Sequence, residues 1–91
     1  MTDQSTTAPT AEDILDEIRS QLSAMKVPGG ESATMEMQWA DLDVDSLELV
    51  ELVKALEDRY GISIADEELK PIKGVADAVA LTQRLAAGQG A

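Results

Sequence analysis

Apolar residues fall into three stretches of helical period along this chain. Ile14, Leu15, Ile18, Leu22 and Met25 recur at spacings of three and four, which makes one stripe on a helix. Thr10 stands just ahead of that stripe and Asp13 lies three residues on, a near capping box. Glu12 and Asp13 also suit the positive end of a helix. The pattern predicts a helix that starts after Thr10 and stops at Pro28-Gly29-Gly30. Residues 27 to 44 then carry no helical period, which is long for a structureless connection in a small domain. Met35, Met37 and Trp39 alternate within it, so the loop is expected to lay these side chains on the core.

Asp45 is a good N-cap for a second helix over residues 46 to 60, with Gly61 as its stop signal. Leu49, Leu52, Val53, Leu56 and Tyr60 share one stripe of that helix, the expected core face. Ile62 and Ile64 lead into a short helical turn at residues 66 to 69, which must end before Pro71. Val75, Ala78, Val79, Thr82 and Leu85 form the inner face of a last helix. The expected fold is all-α: three amphipathic helices and a short third one in a small four-helix bundle, with a long first connection. Residues 10–86 form the expected domain. Residues 1–9, rich in Ser, Thr and Ala, and residues 87–91 are read as disordered and flexible tails.

Composition narrows the chemistry. The 91 residues include no cysteine, no histidine and no phenylalanine, so no disulfide, thiolate metal site or His-dependent nucleophile system can be assembled. Eighteen acids against seven bases give a formal net charge of −11. Such a surface repels nucleic acid phosphates and anionic membranes and is steered toward basic protein surfaces. No apolar run approaches the roughly 20 residues that span a bilayer, and the first residues lack the basic and apolar segments of a secretory signal. The expectation is a soluble cytoplasmic chain, monomeric, whose partners are proteins.

The acidic residues offer two possible sites. Asp41, Asp43 and Asp45 alternate like the start of a calcium-binding EF-hand loop, but Ser46 stands where that motif needs Gly and Leu52 where it needs Glu. A solvated acidic loop is the better reading, with no metal site. Paired carboxylates for glycosidase-type work lack an enclosing cleft in a chain this small. The outer face of the second helix is more informative. Leu47 and Val50 lie off its core stripe, beside Ser46, Glu51 and Lys54, with Glu48 and Asp58 flanking. Exposed aliphatics ringed by acids fit a protein-docking patch.

The run Asp41-Leu42-Asp43-Val44-Asp45-Ser46-Leu47-Glu48-Leu49-Val50-Glu51-Leu52-Val53 resembles the signature of acyl carrier proteins. That likeness continues through Ala55-Leu56-Glu57, Tyr60-Gly61-Ile62, Asp66-Glu67-Glu68 and the last helix, covering about residues 10 to 86. It implies a stand-alone carrier that catalyses nothing itself. A phosphopantetheinyl transferase would place 4'-phosphopantetheine from coenzyme A on Ser46, and the thiol of that arm would hold acyl groups as thioesters. The resemblance makes Asp45 a contact for the transferase's metal. It makes Leu47, Glu48, Val50, Glu51, Lys54, Glu57 and Asp58 the face met by basic surfaces of a ketosynthase, an acyltransferase and other synthase enzymes.

Several residues depart from the family pattern. Asp43 replaces a usual glycine, Lys54 an exposed apolar residue and Ala65 a common proline. Gln38 stands where the bacterial fatty-acid type often has Phe or Leu, and Trp39 matches an aromatic more typical of polyketide carriers. The expected pathway is polyketide or fatty acid synthesis. The alternatives are a peptidyl or aminoacyl carrier, which usually shows a Gly-Gly pair before the serine, and an unmodified acidic adaptor.

Overall fold

The computed structural model describes residues 9–89, with side chains as far as Ala87. Its described residues form four α-helices: α1 (Ala11–Ala24), α2 (Ser46–Tyr60), α3 (Asp66–Leu69) and α4 (Val75–Gln89). The expected all-α bundle is therefore observed. The long α1–α2 connection is not structureless, however: it contains 3-10 turns at Gly30–Ser32 and Trp39–Leu42. No helix among the described residues is long and apolar enough to cross a membrane.

Helix α1 starts as its sequence dictates. Thr10 Oγ1 accepts from Asp13 N at 3.1 Å, and Asp13 Oδ2 accepts from Thr10 N at 3.4 Å. Its end corrects the sequence expectation, because the helix stops at Ala24, ahead of Pro28-Gly29-Gly30. Lys26 takes a left-handed conformation at φ 64°, while the Lys26 and Val27 amides donate to Ser23 O and Leu22 O at 2.9 Å each. This is a Schellman cap built on a lysine rather than a glycine. Val27 is buried and completes the apolar contact that such caps usually carry.

Ile14, Ile18 and Leu22 of α1, Leu52 and Leu56 of α2, and Val75 and Val79 of α4 are fully buried and define the main core. Trp39 and Leu42 from the long connection join that cluster, while Met35 and Met37 pack on it half-buried. A second, smaller cluster of Val53, Ile62, Ile64 and Leu81 lies toward α3. Thr82 is also fully buried; its hydroxyl donates to Ala78 O at 2.8 Å, which explains a polar residue on the core stripe. Helix α4 runs through Gln89, past the Ala86 where the ordered domain was expected to end. Of the expected tails, residues 1–8 and 90–91 lie outside the described residues.

Four links tie the helices and connections together. Arg19 Nε donates to Ala33 O at 2.8 Å, holding α1 against the long connection. Arg59 pairs with Glu17 at 3.5 Å, and Arg84 with Glu68 at 3.5 Å. The fourth link is a single antiparallel bridge between Gln38 and Gly74. Trp39 N donates to Lys73 O at 3.1 Å and Val75 N to Met37 O at 2.9 Å. Gly74 is required there, because a Cβ would lie 2.8 Å from Met37 O.

Candidate functional site: the start of helix α2

The chain enters α2 through a tight sequence of turns. Asp41 Oδ2 accepts from Gln38 N at 2.9 Å and closes the Trp39–Leu42 turn. Asp43 follows in the left-handed region, φ 58° and ψ 34°, and Val44 N donates back to Trp39 O at 2.9 Å. Left-handed backbone favours glycine, and aspartate is among the side chains that tolerate it. Asp43 thus occupies a backbone conformation that glycine would adopt with less strain. Because the Gln38–Gly74 bridge pins the base of this loop to α4, the start of α2 is fixed to the bundle.

Asp45 then caps the helix. Its Oδ1 accepts from Glu48 N at 2.8 Å, and Glu48 Oε1 accepts from Asp45 N at 3.2 Å. Leu49 N finds Asp45 O at 2.9 Å. First-turn amides have no acceptor within their own helix, and the reciprocal cap accounts for Glu48. The amides of Ser46 and Leu47 remain open, with no acceptor among the described residues. Ser46 is exposed at the first helical position, so its hydroxyl stands in solvent beside two free N–H groups and the positive end of a 15-residue helix. An anion joined to Ser46 Oγ would meet those donors directly, and an exposed serine leaves room for a long substituent to depart. These residues fit a phosphodiester-linked group.

Other site residues predicted from sequence fall into two sets. Leu47 is 64% exposed and Val50 47%; they are the large apolar side chains left exposed among the described residues. Glu51, Lys54 and Asp58 are exposed on the same helix, and no ion pair reaches Lys54 among the described residues. Glu48 and Glu57, by contrast, are half-buried and engaged. Glu48 closes the cap, while Glu57 Oε2 accepts from Ile64 N at 2.7 Å and anchors the chain leaving α2. Among the described residues no three acids come together to hold a metal ion; Asp41 and Asp45 each close a turn instead.

At the far end of α2, the Tyr60 hydroxyl is held above its ordinary pKa, first by burial and then by Glu17 and Asp13, with Arg59 opposing. A recess of about 540 Å³ lies away from Ser46, between α3 and α4, lined by Glu67, Glu68, Ile72, Leu81 and Arg84 among others.

Comparisons with known proteins agree with this geometry. Residues 12–82 match the family model described as a phosphopantetheine attachment site. An acyl carrier protein of Rhodococcus erythropolis is 35% identical over 81 residues, which cover 88% of this chain and 89% of that one. A meromycolate extension acyl carrier protein of Mycolicibacterium aurum is 49% identical over 45 residues, 50% of this chain and 46% of the relative. An acyl carrier protein of Acidothermus cellulolyticus is 56% identical over 39 residues, 43% of this chain and 46% of the relative. The chain therefore spans less than half the length of the last two relatives and nearly all of the first. With the match to residues 12–82 and the likeness along almost the whole Rhodococcus protein, the chain belongs to the acyl carrier protein family, whose cofactor is covalently attached 4'-phosphopantetheine.

Proposed function

We propose that Ser46 is the attachment point of the arm, and that the chain carries acyl groups in chain extension of the fatty acid or polyketide kind. One observation carries the assignment of the serine. Ser46 is exposed at the first position of α2, beside the open amides of Ser46 and Leu47. In loading, Ser46 Oγ gives up its proton and forms the phosphoester bond, with adenosine bisphosphate leaving from coenzyme A. This chain contains no histidine, and the transferase is the source of the base. Asp45 keeps Oδ2 free of hydrogen bonds among the described residues, which suits a transferase-held metal ion. When bound, the arm supplies a terminal thiol that holds cargo as a thioester. Ser46→Ala should keep the fold and gain no mass on incubation with coenzyme A and a phosphopantetheinyl transferase. Mass gain by that variant would overturn the assignment.

The outer strip of α2 is the proposed docking surface. Leu47 and Val50 supply an apolar anchor beside the serine, and Glu51 and Asp58 supply charge for approach to basic enzymes such as a ketosynthase or acyltransferase. Lys54 interrupts the acids and favours partners with an acidic group at that point. Glu48 and Glu57 contribute less, since their carboxylates already serve the backbone. A role in chain extension is supported by the 49% identity over 45 residues to the Mycolicibacterium relative, whose name specifies meromycolate extension for that protein.

A further inference from the structure

The recess between α3 and α4 brings apolar surface and open carboxylates together. Its volume is about 540 Å³, room for more than one side chain of a partner. None of its lining residues belongs to α2, so it shares nothing with the strip proposed to meet synthase enzymes. Its apolar lining includes buried Leu81 and half-buried Ile72, at the edge of the smaller core cluster. Its charged lining is three carboxylates, Glu67, Glu68 and Asp77, against one cation, Arg84.

Those four charges are not equivalent. Glu68 is engaged on both oxygens: Oε1 accepts from Ala65 N at 3.2 Å, and Oε2 pairs with Arg84 Nη2 at 3.5 Å. The one cation of the lining is thereby matched to one of its acids. Asp77 Oδ2 accepts from Lys73 N at 3.1 Å, which leaves Oδ1 open among the described residues. Glu67 is exposed, and its carboxylate makes no hydrogen bond or ion pair among the described residues. Lys70 and Lys73 flank the recess on the α3–α4 connection, but neither lines it. An anionic ligand would therefore meet net repulsion there, on a chain that already carries −11. A neutral one would strip water from Glu67 and Asp77 and give no bond in return. A cation joined to an apolar side chain suits both parts of the lining. Arginine is the better cation, because its planar fork of five donors can serve carboxylates on two elements at once. A leucine one helical turn away would cover Ile72 and Leu81.

We propose that the α3–α4 recess is a second docking surface, which takes a cationic amphipathic helix of a partner protein while α2 stays free. Such a partner would hold the chain without competing with enzymes that meet the start of α2. The test uses the unloaded native chain, so its outcome does not depend on whether Ser46 carries the arm. The probe is a synthetic helical peptide of alanine and glutamine, with leucine and arginine one turn apart on one face. Titrated into ¹⁵N-labelled protein, it should shift the amides of Glu67, Ile72, Leu81 and Arg84 and leave those of Leu47 and Val50 in place. Largest shifts at Leu47 and Val50, shifts spread over the acids of the whole chain, or no binding would each overturn the proposal.

Glutamine in place of the peptide's arginine should weaken binding roughly tenfold, and serine in place of its leucine by about as much. Affinity kept without arginine would mean an apolar site of another kind. Affinity kept without leucine would mean a general attraction of cations to an acidic chain, and either result overturns the proposal. Glu67→Lys should weaken the peptide at least about fivefold. Glu31→Lys makes the same charge change at an exposed position outside the recess, and it should weaken the peptide less than about twofold. Equal weakening by the two variants overturns the recess as the site. The shift map on the native chain decides the matter should Glu67→Lys disturb α3.

Discussion

Helices α1 and α2 begin with the same device and end with different surfaces. Each opens on a reciprocal cap, Thr10 with Asp13 and Asp45 with Glu48, and each sends an apolar stripe into the main core. Helix α1 leaves no large apolar side chain exposed, whereas α2 leaves Leu47 and Val50 in solvent next to an exposed serine. Capping and amphipathicity therefore explain why both helices form, and neither marks a site. The surplus of apolar residues over what the core needs is what separates α2, the helix proposed to dock partners, from α1.

Leucines on opposite faces of α2 give the largest expected contrast. Leu52 is fully buried, and Leu52→Ala should lower unfolding free energy by about 2–5 kcal/mol through lost burial and the cavity left behind. Leu47→Ala, at 64% exposure, should change stability by less than about 0.5 kcal/mol and instead hasten dissociation from a synthase partner. Urea denaturation of the two variants, with dissociation kinetics of the second, tests both halves. Comparable destabilisation by the two would erase the distinction between the faces.

Next in size is the tie that fixes the start of α2. Gly74→Ala should cost about 1–3 kcal/mol, since the new methyl would meet Met37 O at 2.8 Å and the backbone bridge would have to shift. The same denaturation experiment reads it, and faster amide exchange at Trp39 and Val75 should accompany it. Smaller again are the caps. Thr10→Ala and Asp45→Ala should each cost about 1 kcal/mol. Only Asp45→Ala should also slow transfer of the arm, measured as the rate of mass gain. Equal slowing by both would mean that loading reports general stability.

The smallest effect is alkaline. Tyr60 in the folded chain holds its proton above its ordinary pKa, chiefly through burial. The folded state therefore binds more protons than the unfolded state once pH passes about 10, and stability must fall as pH rises from there. Below that pH the contribution is constant. Stability measured from pH 8 to 11 should decline less steeply for Tyr60→Phe than for the native chain; parallel curves would remove Tyr60 as the cause.

Much of this architecture was legible because it is local. The bounds of α2 follow from Asp45 and Gly61, those of α3 from the turn before Pro71, and the exposed pair Leu47 and Val50 from helical period alone. What escaped was either non-local or chemically unmarked. Helix α1 ends on Lys26 in a conformation usually given to glycine, and the obvious breakers Pro28-Gly29-Gly30 lie downstream of the real stop. The Gln38–Gly74 bridge joins segments far apart in the chain, so no window of sequence contains it. Leu81 was missed as a core residue because α4 is apolar on more than one face, and its burial depends on where α3 packs. At the site, the exposed serine could be read from the sequence. The engagement of Glu48 and Glu57 with the backbone could not, because it depends on side-chain direction.

The central claim is that Ser46, through its place at the start of α2, is the residue that carries the arm. Protein incubated with coenzyme A and a phosphopantetheinyl transferase, then digested and mapped by mass, tests it most directly. One phosphopantetheine per chain is expected, located on the peptide containing Ser46 and on that serine, with Ser20, Ser23, Ser32 and Ser63 unmodified. Phosphopantetheine on any of those serines, with Ser46 bare, would contradict it.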